Sequence, residues 1–244
     1  MTIVHSAPAR YAPSEFEQAV LALQPQRAVF DCDGTLWSGD AGYGFMIWSI
    51  ESGLFSRNAA DWIDSRYRQY IAGEVSEAEM CGEMVQIYEG LREDEIRRAS
   101  AEYFRLHIEA HVFVEMRALL KRLHADGVEL WAVSSTNNWV IEEGVNRFNI
   151  PASRVLCSRV RVDNGRITSK LLAVPTGQGK AEALQQAGVP HPDAVFGNSI
   201  HDAAMLSIAR GAFPVNPTAA LAEIAADRNW TIFYPESVLA DNKL

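Results

Sequence analysis

AVFDCDGTLW, running from Ala28 to Trp37, is an apolar strand that stops on two aspartates, Asp31 and Asp33. Gly34 then supplies a tight turn of the kind glycine enters without strain, and Thr35 follows where backbone N–H groups face an anion. Two carboxylates and an N–H-lined turn, gathered at the carboxyl end of one strand, form an address for phosphate chemistry. Read as plain structure, the same residues are an acidic turn after a buried strand. The alternation of a strand sends Cys32, which lies between the two acids, to the opposite face, where it is expected to be a packed, inert thiol.

Three further segments carry comparable signals. In VELWAVSSTNN the apolar run Val128 to Val133 reads as a buried parallel strand stopping at Ser134. A hydroxyl there can donate to a phosphoryl oxygen, and Ser135 and Thr136 are close enough to take the same part, with Asn137 or Asn138 capping the next helix. In TGQGKAEAL, Lys180 stands at a predicted helix start, where the dipole disfavours a cation; a lysine so placed is either a solvated surface residue or one with a task, the neutralisation of a nucleophile and a transferring phosphoryl group. In DAVFGNSIHDAAML a short strand, Ala194 to Phe196, leads to Asn198, Ser199 and, one helical turn on, Asp202. His201 reads as solvated.

The organisation is that of an α/β protein. An amphipathic helix near the N-terminus, with Ser14 as cap and Glu17 completing a capping box, precedes the first strand. Residues 38–110 hold no strand signal, only helices broken at Gly53, Gly73 and Gly90, with a second capping box at Ser76 and Glu79. That length suits about four short helices. From Val128 strands and helices alternate again, interrupted by a hairpin from Arg159 to Thr168 that turns at Asp163, Asn164 and Gly165. The expected architecture is a Rossmann-like parallel sheet flanked by helices, built from 1–37 and 111–244, with 38–110 as an inserted all-helical domain.

Composition bounds the function. The 244 residues are 48% hydrophobic and 22% charged, enough for a full core, and the net charge of −9 argues against nucleic acid or an anionic membrane as partner. The phosphate site is therefore a local positive spot in an acidic body. No run approaches ~18 apolar residues and no leader pattern precedes the first helix, so the expected location is cytoplasmic. Three widely spaced cysteines, Cys32, Cys81 and Cys157, form no metal motif. Oligomeric state is not legible.

In this order the four segments resemble the signature motifs of the haloacid dehalogenase-like (HAD) superfamily. The resemblance implies that Asp31 attacks phosphorus, that Asp33 moves the proton, and that Ser134, Lys180 and the turn at Gly34 and Thr35 hold phosphoryl oxygens, with Ser135 the neighbouring candidate. It implies Mg²⁺ held by Asp31, the backbone carbonyl of Asp33 and Asn198, in a closing motif that includes Asp202. Asn198 stands where the family usually has an aspartate; a carboxamide oxygen can ligate Mg²⁺ with one negative charge fewer. The helical insert is similar to a C1 cap, nearest to the phosphoserine phosphatase branch. In that branch an acid nine places beyond the nucleophile reads the substrate's ammonium, which gives Asp40, while the position of its carboxylate-binding arginine falls on Met84, with Arg57, Arg66 and Arg68 as substitutes nearby. Trp37, Tyr43, Phe45, Trp48 and Trp62 either stack on a cationic head group or form the cap's own core. The implied function is a Mg²⁺-dependent phosphomonoesterase acting through an aspartyl-phosphate on a small metabolite, an amine-bearing phosphate being the expected class. A phospholigand-binding protein of weak activity and a dehalogenase are the alternatives.

Overall fold

The structure, a computed structural model, describes residues 8–241. Helix α1 (Pro13–Ala22) leads to strand β1 (Arg27–Phe30), after which come four helices with no strand between them: α2 (Ala41–Glu51), α3 (Arg57–Ile71), α4 (Glu77–Gln86) and α5 (Glu93–Tyr103). Alternation returns with α6 (Val114–Ala125), β2 (Glu129–Asn137), α7 (Asn138–Asn146), the hairpin β3 (Val155–Asp163) and β4 (Arg166–Ala173), then α8 (Gln178–Gln186), β5 (Ala194–Gly197), α9 (Ala203–Ser207), β6 (Gly211–Pro214), α10 (Ala219–Asp227) and α11 (Glu236–Asp241). Among the described residues no helix is long and apolar enough to cross a membrane.

The sheet order is β4-β3-β2-β1-β5-β6, parallel throughout except for the β3–β4 hairpin. Because side chains alternate along a strand, β1 feeds two cores. Ala28, Phe30 and Cys32 enter the larger one, and Val29 joins Val133 and Val195 on the other face. Phe30 stacks on Phe196 of the neighbouring strand, ring centroids 4.4 Å apart. The chain steps from β1 outward to β2 and β3, then returns for β5 and β6 on the other side of β1. Loops leaving β1 and β5 diverge above that reversal and open the crevice in which α/β sheets bind ligands.

The helices α2–α5 do not float above this layer. Phe45, Val85, Tyr88 and Ile96 belong to the same hydrophobic cluster as Phe30 and Leu120, and Tyr88 meets Trp139 of α7 edge to face. Gly53, Gly73 and Gly90 take φ of 72°, 76° and 83° at the helix breaks, and Ser76 with Glu79 closes the expected capping box. The hairpin turns through Asn164 and Gly165, both at positive φ, a turn whose twist matches its strands. Its outer strand is stitched to the segment after α4: Gly90 N–H donates to Ile167 O at 2.8 Å, Ile167 N–H to Leu91 O at 3.0 Å and Glu93 N–H to Gly165 O at 3.0 Å.

Three local expectations are corrected. Helix α1 is capped at Ala12, not Ser14: Pro13 fits the first helical position, and the Glu15 carboxylate takes the Ala12 N–H at 2.9 Å, a reach that Glu17 lacks. Strand β2 runs past Ser134 to Asn137, because β3 continues to pair with it across a bulge between Ser134 and Asn137. The hairpin is longer than Arg159 to Thr168, extending from Val155 to Ala173.

Candidate active site

Asp31 is buried at the end of β1, and Lys180 reaches it from the first turn of α8. The ammonium donates to Asp31 Oδ1 at 2.8 Å and to Asp202 Oδ1 at 2.6 Å, while Thr35 Oγ1 donates to Asp31 Oδ2 at 2.8 Å. Burial and the charge of Asp202 push the Asp31 carboxyl up to about 6 against the pull of Lys180. Burial opposes the lysine's charge, but Asp202 and Asp31 outweigh it and raise its pKa above the ordinary lysine value. The buried ammonium thus stays charged between two carboxylates at the edge of the cavity.

The sequence grouped Asp202 with the metal residues. In the structure it is fully buried, with Oδ1 on Lys180 and Oδ2 accepting from the N–H groups of Asn198 and Ser199, both at 2.9 Å. It holds Lys180 and the loop of Asn198 in place from one layer behind the cavity. A side chain at Gly197 would collide with it, a Cβ there lying 2.5 Å from Asp202 Cβ.

Asp33 is held by three donors. Oδ1 accepts from Trp37 Nε1 at 2.7 Å and Ala41 N–H at 2.8 Å, and Oδ2 accepts from Thr136 Oγ1 at 2.8 Å. Burial, with Asp40 adding to it, pushes this carboxyl up to about 7 against those bonds, into the range where a group both gives and takes a proton near neutral pH. Sequence reading left Thr136 as one alternative to Ser134 for the phosphoryl contact; its hydroxyl donates to Asp33 instead.

Ser134 and Ser135 both line the cavity but differ in what remains free. Ser134 Oγ accepts the Thr136 N–H at 3.1 Å, which leaves its own proton to donate. Ser135 donates to the Pro175 carbonyl at 3.1 Å. Gly34, at φ 75°, lies beneath Asn198: a Cβ there would come within 1.8 Å of Asn198 Nδ2. With the amide nitrogen against Gly34, the carboxamide oxygen is turned away from it. Asp31 and Asn198 line the same cavity, and as oxygen donors without thiol or imidazole they suit a hard divalent cation that keeps several waters.

The cavity is about 400 Å³, and its upper wall comes from the helical insert: Tyr43, Tyr67, Tyr70, Glu77, Met80 and Met84. Of the two readings of the aromatic set, the core one holds for Trp37, Phe45 and Trp48. Trp37 and Phe45 are fully buried core residues, Trp48 packs against that core and Trp62 is exposed, so of the five only Tyr43 lines the cavity. Tyr67 and Tyr70 take the place of the others; with Ile63 they form a helical-period stripe on α3 that could have been read in the sequence. Asp40 lines the cavity and caps α2, its Oδ1 accepting Tyr43 N–H at 2.8 Å. Met84 also faces the cavity, and none of Arg57, Arg66 and Arg68 does: Arg66 is held by Glu83 at 2.7 Å and Arg68 pairs with Asp64. His201 is not free in solvent, since Nδ1 contacts Glu77 Oε2 across the cavity and that bond raises its pKa. The three thiols are unpaired; Cys32 and Cys157 are buried, and Cys81 borders the cavity.

Known proteins resemble this chain in sequence and fold. A probable phosphatase of Mycobacterium tuberculosis (strain ATCC 25618 / H37Rv) is 24% identical over 95% of this chain and 83% of its own length. A histidinol-phosphatase of Neisseria meningitidis serogroup C (strain 8013) is 22% identical over 84% of this chain and 96% of its own. The solved structure of a substrate-bound phosphoserine phosphatase superposes with a TM-score of 0.58 at 14% identity, covering 86% of this chain and 92% of that one. Residues 28–207, from β1 with Asp31 to the end of α9 beyond Asp202, match the haloacid dehalogenase-like hydrolase family, and the chain belongs to it.

Proposed function

We propose that the chain is a Mg²⁺-dependent phosphomonoesterase of small phosphorylated metabolites, working through an aspartyl-phosphate. The observation that carries this reading is the buried Asp31–Lys180–Asp202 array with Asp33 beside it, held by three donors at one cavity. An Asp31 carboxylate oxygen attacks phosphorus, the ester P–O bond breaks, and Asp33 gives its proton to the departing alkoxide. Asp33 then takes a proton from the water that attacks the same phosphorus, which frees inorganic phosphate and restores Asp31. Lys180 and Ser134 hold the phosphoryl oxygens in line, so most of the acceleration is positioning and charge stabilisation. The expected contacts from Gly34 and Thr35 fall away, because the Gly34 N–H donates to the Trp37 carbonyl, the Thr35 N–H to the Cys32 carbonyl and the Thr35 hydroxyl to Asp31. Asp31, the Asp33 carbonyl and Asn198 would hold Mg²⁺, which when bound offsets the phosphoryl charge. Residues 38–110 act as the cap that closes the cavity, and Asp40 favours an amine-bearing substrate.

The test is hydrolysis of p-nitrophenyl phosphate with and without Mg²⁺, and mass spectrometry of acid-quenched enzyme for a phosphoryl group on the peptide containing Asp31. Asp31→Asn is expected to abolish both signals. Turnover by that variant above a few per cent of the parent rate would remove Asp31 from its role.

A further inference from the structure

The cavity is polar in one direction. At its floor Lys180 faces where a phosphate would sit; at its roof the charged side chains are carboxylates, Asp40 and Glu77. Lys180 and His201 are the basic side chains of the lining, and Lys180 is engaged between Asp31 and Asp202. Asp40 is partly committed to capping α2, but Glu77, the first residue of α4, extends over the cavity with its side chain 17% exposed. Its buried Oε2 is in contact with Nδ1 of the His201 imidazole. Around it stand phenol rings, Tyr43 stacked on Tyr67 at 4.3 Å and Tyr67 beside Tyr70 at 5.9 Å, with the thioethers of Met80 and Met84. Ring faces and soft sulfur tolerate an organic cation and its alkyl groups and bring no positive charge to an anion. The neighbours register the same field: Tyr70 and Cys81 are pushed up by burial first and by Glu77 next. A substrate carboxylate would find no arginine or lysine on this wall.

We propose that Glu77 is a specificity-determining residue that binds an organic cation on the leaving alcohol, so that the substrates are phosphomonoesters whose alcohol carries a positive charge and no carboxylate. This rests on the phosphatase reading of the same cavity and adds a residue, and an exclusion, to it. The cation meets the carboxylate where His201 now does, with the tyrosine rings flanking it.

The test compares phosphocholine and phosphoethanolamine with their uncharged carbon isosteres, and with phosphoserine, in the full-length enzyme and in Glu77→Gln. The enzyme is expected to favour each cationic ester over its isostere by about tenfold or more in kcat/KM, and Glu77→Gln to bring that ratio close to one. A ratio taken within one protein sample is insensitive to partial misfolding, and Glu77→Asp should recover part of it. The same ratios are read as affinities by calorimetry on Asp31→Asn, without turnover. Equal ratios in parent and Glu77→Gln, or phosphoserine handled as well as phosphoethanolamine, would overturn the proposal. Absence of p-nitrophenyl phosphate turnover in the parent would instead defeat the phosphatase reading, and the calorimetric ratios would still decide the role of Glu77.

Discussion

Removing the charge of Lys180 should cost stability in a pH-dependent way that depends on the two acids it separates. In Lys180→Met the side chain keeps its length, but Asp31 and Asp202, whose side chains are 6% and 0% exposed, lose their shared cation. At an effective dielectric near ~20 each lost contact is worth about 6 kcal/mol gross. Relief from desolvating the ammonium returns much of that, and breaking a buried pair typically leaves a net loss of about 3–5 kcal/mol. The protein has one escape, protonation of one carboxyl. From the ordinary aspartate value of 3.8, that costs about 6 kcal/mol at pH 8 and only about 2 kcal/mol at pH 5. The penalty is therefore expected to be about 3–5 kcal/mol at pH 8 and to stay under about 2 kcal/mol at pH 5. The sign follows from linkage: a carboxyl raised in the folded state leaves stability intact below its unfolded pKa, and stability is lost as pH rises towards the folded pKa. Urea unfolding in chelator, followed by tryptophan fluorescence at both pH values, measures it. A penalty equal at the two pH values, or below about 1 kcal/mol at pH 8, would refute the idea that Lys180 neutralises two charges at once.

Asp33→Asn should slow alkyl phosphates by about 10²–10⁴-fold and p-nitrophenyl phosphate far less, because only the poor leaving group needs a proton; equal losses in steady-state assays would assign Asp33 to structure or metal instead. Asn198→Asp should lower the Mg²⁺ concentration for half-maximal activity by about fivefold, about 1 kcal/mol for one added charge in a hydrated site. A metal titration showing no change would take Asn198 out of the metal site. Because burial and nearby carboxylates push the Cys81 thiol up to about 12, and Cys32 and Cys157 are buried, native protein at pH 8 should react slowly with a thiol reagent and yield all three thiols in urea. Rapid labelling of Cys81 in the folded state would contradict that.

What sequence could reveal was what sits at strand ends. Asp31, Lys180 and Asn198 were legible because each follows or faces a strand terminus, and sheet pairing then forces them together: Phe30 is in register with Phe196, so the residues just beyond meet. The helix breaks in the insert were legible because glycine at positive φ has few substitutes. What escaped depends on contacts between segments far apart in the chain. Nothing local to Thr136 says that its hydroxyl will cross to Asp33, and nothing local to His201 points to Glu77 on another helix. For the aromatic residues the sequence left two readings open, and burial decided between them. A tryptophan gains more from burial than from facing a polar cavity, so Trp37 went inside and the amphipathic tyrosines took the wall.

The stitching between the hairpin and the segment after α4 limits how the pocket can admit anything. Three main-chain bonds near Gly90, Leu91 and Glu93, with Gln86 Nε2 on the Ser169 carbonyl at 2.6 Å, rivet one flank of the helical insert to the edge of the sheet. Swinging the whole insert aside like a door would tear a ladder that water must then repair, together with the shared core around Tyr88. Traffic is left to the opposite flank, where the His201–Glu77 contact and the half-covered tyrosines of α3 offer much less resistance. Exchange there would be a local parting of one seam, and the residues proposed to choose the ligand would also be those that step back to let it in.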